Sequence, residues 1–172
     1  QHVEVTRDLA LKFNNFYGET FPLPEPSINE EVQTVVGTDG EKMSKSYGNT
    51  IALFGTDAEL KKEVMGIVTN STPLEEPMDY ENCNVFKLYS YFASDTEIQN
   101  LKDKYLAGGF GYGSAKKTLL EKLHEVLDPF RQKRVELTSN MDYVEEVLKN
   151  GANKARTEAQ KTLAEVREKV GL

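Results

Sequence analysis

Val32-Gln33-Thr34-Val35-Val36-Gly37-Thr38-Asp39-Gly40-Glu41-Lys42-Met43-Ser44-Lys45-Ser46 is where the pattern of the chain changes. Residues 32–36 are rich in β-branched side chains and are closed by Gly37, Asp39 and Gly40, the signature of a short strand running into a turn. A lone strand leaves its backbone groups unpaired, so this one is predicted to be the last strand of a sheet belonging to a larger parent domain. The loop that follows carries two lysines, Lys42 and Lys45, with hydroxyls at Ser44 and Ser46. Lysine ammonium groups are compact charges on flexible stems, and a glycine-containing loop closes easily, so the pair can be brought onto negative charge as it develops. A polyphosphate is the ligand that suits this arrangement. A Lys-x-x-Lys taken alone would be a solvated basic loop; the specified residues around it and the strand before it give the stronger reading.

Towards the N-terminus, the prolines of Phe21-Pro22-Leu23-Pro24-Glu25-Pro26 predict an extended connector, since each lacks an amide donor and fixes its own φ. Before it, Val5, Leu9, Phe13, Phe16 and Tyr17 fall on one helical face that ends at Gly18, which predicts a helix packed inward along that stripe. The chain opens without a methionine and enters helical periodicity at once, so it is read as a C-terminal piece of a longer protein.

Towards the C-terminus the pattern is helical throughout. Leu60, Val64, Ile67 and Val68 follow an expected Asp57 cap; Val85, Leu88 and Phe92 mark a second helix; Ser94-Asp95-Thr96-Glu97 is a capping box ahead of Ile98, Leu101 and Tyr105. Ser114 is expected to cap a long helix carrying Leu119, Leu123 and Val126, which Pro129 ends or kinks. Two more helices are predicted after it. The last presents Ala152, Ala155, Ala159, Leu163, Val166 and Val170 as one stripe, suited to docking on the body of the protein.

With 38% hydrophobic and 28% charged residues, the chain has the composition of a globular protein, and it holds no apolar run of membrane-spanning length. No export segment opens it, which makes a cytoplasmic protein the expectation. The single Cys83 excludes an internal disulfide and a cysteine zinc site, while His2 and His124 lie far apart, so no metal-binding residue is assigned. A net charge of −7 argues against gripping nucleic acid through overall charge but leaves room for a local patch. Lys116, Lys117, Arg131, Lys133 and Arg134 are the candidates for contacts with RNA phosphates, against the plainer reading of a solvated helix face.

Lys42-Met43-Ser44-Lys45-Ser46 resembles, in every position, the second signature of the class I aminoacyl-tRNA synthetases. Gln1-His2-Val3-Glu4-Val5-Thr6-Arg7-Asp8 is similar to the His-x-Glu-Leu-Thr-Arg-Asp helix of bacterial-type tryptophanyl-tRNA synthetases, with Val5 in place of leucine. Residues 109–134 and 151–172 also resemble that family's glycine turn and C-terminal helix. The resemblance implies a mainly α chain: residues 1–52 as the remnant of a Rossmann-type α/β catalytic domain, including the lysine loop, and residues 53–172 as a helical anticodon-binding domain with a C-terminal docking helix. It implies an enzyme in which tryptophan's carboxylate attacks the α-phosphate of ATP and the aminoacyl group then passes to tRNA(Trp), with Mg2+ sharing the phosphate charge. In that chemistry Lys42 and Lys45 would hold the leaving pyrophosphate, Ser44 and Ser46 would add hydroxyl contacts, and Met43 would offer backbone to the adenosine. The full-length parent would be a homodimer and the isolated fragment inactive, because the first ATP signature and the indole pocket are expected upstream of Gln1. A tyrosyl-tRNA synthetase fragment and a noncatalytic RNA-binding helical module are the alternatives. The Thr6-Arg7-Asp8 helix and the C-terminal helix speak against the first.

Two stretches imitate other sites. Gly109-Phe110-Gly111-Tyr112-Gly113 looks like a nucleotide-binding glycine loop but lacks the strand such a loop needs, and is expected to be a turn between helices. Asn70-Ser71-Thr72 is formally a glycosylation acceptor and is expected to be a polar helix end.

Overall fold

The computed structural model describes residues 1–28 and 34–172. It is mainly helical: α1 His2–Tyr17, a 3-10 turn Lys45–Tyr47, α2 Asp57–Met65, α3 Asn84–Ser90, α4 Asp95–Ala107, α5 Gly111–Thr138 and α6 Met141–Val170. The expected strand fares differently. Val32 and Gln33 lie outside the described residues, and Val35–Val36 form only an isolated antiparallel bridge, Val36 to Lys42. The cause is local: with no neighbouring strand among the described residues, these backbone groups pair with their own loop, Met43 N–H donating to Val35 O at 2.8 Å. Among the described residues no helix is long and apolar enough to cross a membrane.

The chain divides into two compact units, Gln1–Asn29 with Glu136–Leu172, and Glu30–Val135. The second holds the core. Leu60 and Val64 of α2, Val85 of α3, Leu101 and Tyr105 of α4, and Leu119 and Leu123 of α5 are almost completely buried, each such aliphatic contributing about 1.5–3 kcal/mol by leaving water. Caps set the helix starts. Thr56, one residue before the expected Asp57, caps α2 by accepting from the Glu59 amide at 3.2 Å, and Glu97 Oε2 accepts from both the amide and the hydroxyl of Ser94 at 2.8 Å, as the capping-box pattern predicts. Val68 falls beyond the end of α2 and is exposed.

α5 begins at Gly111 rather than at Ser114, and it runs through Pro129 to Thr138 instead of breaking there. Pro129 is exposed. Burial of Leu119, Leu123 and Leu127 on the same helix offsets the roughly 3 kcal/mol that an interior proline costs. One helix, α6, then follows where two were expected.

In the first unit the expected inward faces are open. Val5, Leu9 and Phe16 are 58%, 63% and 83% exposed, and Ala10 is the buried residue of α1. The alanines of α6 are exposed as well, and no residue of that helix is buried. The unit is tied by polar contacts instead: Asn14 bonds the backbone of Thr20 and Phe21, and Lys169 of α6 donates to Glu19 O at 2.9 Å and Thr20 Oγ1 at 2.6 Å.

Candidate functional site

The lysine loop is a small knot tied around one buried amide. Its two legs meet where Val36 bridges Lys42, with Gly37 N–H donating to Glu41 O at 2.7 Å. Asn49 sits in the neck, 2% exposed. Its Oδ1 accepts the Ser44 amide at 2.8 Å, and its Nδ2 donates to Asp39 Oδ1 at 2.8 Å and to Lys42 O at 3.1 Å. Its own carbonyl accepts Thr38 N–H at 3.0 Å. A buried carboxamide can satisfy both donors and its acceptor here, which is what makes burying it tolerable. Gly37 is required at the neck because a Cβ there would fall inside the Asn49 side chain. The Asn49 amide, followed by the Glu41 N–H, holds the Asp39 carboxyl below its ordinary range.

Beyond the neck, Ser44 is extended, and Lys45–Tyr47 form a 3-10 turn closed by Gly48 at φ 67, a left-handed position that glycine adopts without strain. The Ser44 and Ser46 hydroxyls lie 2.8 Å apart. Met43 is half-buried against the helical core, whereas Lys42 and Lys45 are exposed. Among the described residues neither ammonium group makes an ion pair. The loop thus offers two uncommitted cations and two hydroxyls on a backbone shaped by hydrogen bonds, a donor set for a polyanion whose positioning is done before the ligand arrives.

The basic residues of α5 are placed differently. Lys116 and Lys117 are separated from Arg131, Lys133 and Arg134 by about 22 Å of helix, so they form two groups. Lys116 Nζ donates to Met65 O at 3.0 Å, and the Arg134 guanidinium stands 5.0 Å from the Phe54 ring. Arg131 is held by Asp57 at 2.9 Å, by Asp128 at 3.3 Å and by Gly55 O. Lys117 and Lys133 are exposed. Asp57, His124 and Asp128 bring ligand atoms within 4.8 Å of one another, yet the cation among them is the Arg131 guanidinium. Of the glycine stretch, Gly109 and Phe110 lie in the expected turn between α4 and α5, while Gly111–Gly113 form the first turn of α5 itself. Asn70 Oδ1 accepts from the Thr72 amide at 3.1 Å and hydroxyl at 2.7 Å, in a loop after α2 and not at a helix end.

Sequence reasoning singled out the lysines and serines but missed Asn49. A buried polar residue in a loop carries no periodicity. The available signal was its place, just after the signature and followed by the apolar residues of 51–54.

A profile of the class I tRNA synthetases for tryptophan and tyrosine matches residues 1–128, and the chain belongs to that family. Over its whole length it is 53% identical to the tryptophan–tRNA ligase of Fusobacterium nucleatum, covering 53% of that protein. It is 48% identical to the tryptophan–tRNA ligase of Campylobacter jejuni, covering 54% of it. The crystal structure of the Campylobacter jejuni tryptophanyl-tRNA synthetase complexed with ADP and tryptophan matches 99% of this chain and 54% of that one, with a TM-score of 0.87. The chain therefore spans about half the length of the relatives it matches.

Proposed function

We propose that this chain is part of a tryptophan–tRNA ligase, and that its lysine loop stabilises the pyrophosphate leaving ATP as tryptophan is activated. The observation that carries the reading is the presentation of Lys42 and Lys45: Asn49 holds the Lys42 carbonyl and the Ser44 amide next to Lys45, and both ammonium groups are left unpaired among the described residues. The names of the relatives at 53% and 48% identity favour tryptophan over tyrosine.

The carboxylate of tryptophan attacks the α-phosphorus, and the bond to the bridging oxygen breaks. Negative charge then grows on the departing pyrophosphate. Lys45, beside the Ser44 and Ser46 hydroxyls, meets that charge; Lys42 meets it from the other side of the loop, and the Met43 backbone borders the adenosine. Preorganised cations of this kind contribute more in the transition state than in the ground state. The ammonium groups suit phosphate oxygens and have no lone pair for a metal, and no residue of the loop is assigned to Mg2+, which would accompany the phosphates and share their charge. In this reading residues 1–52 belong to a Rossmann-type catalytic domain and residues 53–172 to the domain that meets the anticodon of tRNA(Trp). Lys117 is then the α5 cation most open to RNA phosphates, with Lys116, Arg131, Lys133 and Arg134 also engaged within the protein. The full-length enzyme would be a cytoplasmic homodimer.

The test is Lys45→Ala in the full-length enzyme, read by tryptophan-dependent ATP–pyrophosphate exchange. Removing one such charge donor should cost about 3 kcal/mol, roughly a hundredfold in activation rate, with tryptophan affinity unchanged. An unchanged rate with weaker ATP binding would make the lysine a ground-state binder and refute the role.

A further inference from the structure

The chain leaves the lysine loop at Asn49 and crosses residues 50–54 before turning into α2. A cavity of about 860 Å³ lies against this crossing, with Met43, Lys45 and Ile51 on one wall and Tyr91, Leu119 and Leu123 on another. Side-chain packing therefore supports the crossing, and the Lys45 leg above it, only in part. Polar contacts hold its far end. Ala52 N–H donates to Glu63 Oε2 at 2.8 Å, and Arg131 of α5 donates to Gly55 O and, at 2.9 Å, to Asp57 Oδ1.

Arg131 is itself fixed from behind. Asp128 Oδ1 lies 3.3 Å from its guanidinium, and His124, one turn earlier on the same face of α5, is 3.2 Å from Asp128. The guanidinium is 13% exposed and meets two carboxylates, so its charge is balanced where it sits. Its planar fork reaches a carbonyl and a carboxylate at once, which a lysine ammonium cannot reproduce.

We propose that Arg131 is a positioning residue for Lys45: by clamping Gly55 and Asp57 to α5 it fixes the outgoing leg of the lysine loop, and with it the place where the ammonium meets the leaving group. The proposal rests on the role assigned to Lys45 above. Misplacing a preorganised group by an ångström or less is enough to slow a reaction strongly, so the clamp acts on rate and not on tryptophan binding.

The experiment is a double-mutant cycle in the full-length enzyme, with Arg131→Met, Lys45→Ala and the pair, read by pyrophosphate exchange and by the melting temperature. Arg131→Met should lower kcat about tenfold with the KM for tryptophan unchanged, and Arg131→Lys should restore little of it. In the Lys45→Ala background the same change should have almost no further effect, because the group it positions is gone. A purely structural arginine would lower activity equally in both backgrounds. Multiplying effects, or an unchanged kcat in Arg131→Met, would overturn the proposal while leaving the role of Lys45 intact. A Lys45→Ala enzyme with undiminished activation would overturn both. Should Arg131→Met fail to fold, Asp57→Asn removes the partner on the α2 side, and its smaller loss of kcat should likewise vanish without Lys45.

Discussion

The lysine loop and the helical core beside it use charge in opposite ways. In the core, Lys122 is 8% exposed and lies 2.7 Å from Glu97 and 3.1 Å from Glu125, and Arg131 is bracketed by two aspartates. In the loop, the strongest polar bonds are made by the backbone and by Asn49, while Lys42 and Lys45 are exposed and unpaired among the described residues. A cation that is paired at home holds a fold together and has little attraction left for a ligand; a cation held in place by its backbone keeps its attraction for what arrives. The position of a lysine matters less than what has already been done with its charge.

The comparison can be broken first in the core. Tyr105 is fully buried, its ring lies 5.4 Å from that of Phe86, and its hydroxyl is 3.5 Å from Cys83 Sγ. Burial pushes that hydroxyl well above its ordinary pKa. Tyr105→Ala should destabilise this chain by about 4 kcal/mol through the cavity it leaves, measured by urea denaturation followed by circular dichroism. A loss under about 1 kcal/mol would mean that the helical packing is not what holds the unit together. A smaller effect is expected at the loop's neck. Asn49→Ala leaves the Ser44 amide and the Asp39 carboxylate without their partner, a cost of about 2 kcal/mol. In the full-length enzyme activation should slow by up to about thirtyfold, and the melting temperature should fall by several degrees. A wild-type rate would show that the loop keeps its shape without the amide.

The smallest effect is electrostatic. Hydrogen bonds from Lys122, then from the Ser94 amide and hydroxyl, hold the Glu97 carboxyl down at about 2, against about 4.3 for a free glutamate. Because the folded value is the lower one, the stabilisation is present above the unfolded pKa and is lost as pH falls from about 4.3 towards about 2. Urea midpoints of the wild type and Glu97→Gln should therefore converge across that window. A constant gap down to the lower end would show that Glu97 carries no linked charge in the fold.

Much of this was legible in the sequence, for identifiable reasons. Ser94 and Glu97 declare a helix start through chemistry contained in four consecutive residues, and the structure makes both bonds. Leu101, Tyr105, Leu119 and Leu123 declare a buried face through spacing, and all are buried. The faces of α1 and α6 were equally regular, yet Leu9 and Phe16 are exposed and α6 buries nothing. Periodicity says which side of a helix is apolar; what covers that side is a property of the rest of the protein. Of the strand expected at residues 32–36, the described end, Val35 and Val36, makes only an isolated bridge to its own loop for a related reason, since a strand is defined by its neighbour. Asn49 was hidden, and Arg131 was read only as a phosphate contact, because their bonds run to residues distant in sequence or to backbone atoms that no pattern records.

Cys83 stands at the start of α3, 6% exposed, as the chain's single thiol. A shielded thiol reacts with an alkylating reagent only when the surrounding structure opens. Its labelling rate, compared with that of the unfolded chain, is therefore a clock for the opening of the helical core. The protein carries its own reporter of local breathing, and ligands that tighten the lysine loop can be timed against it without adding a probe.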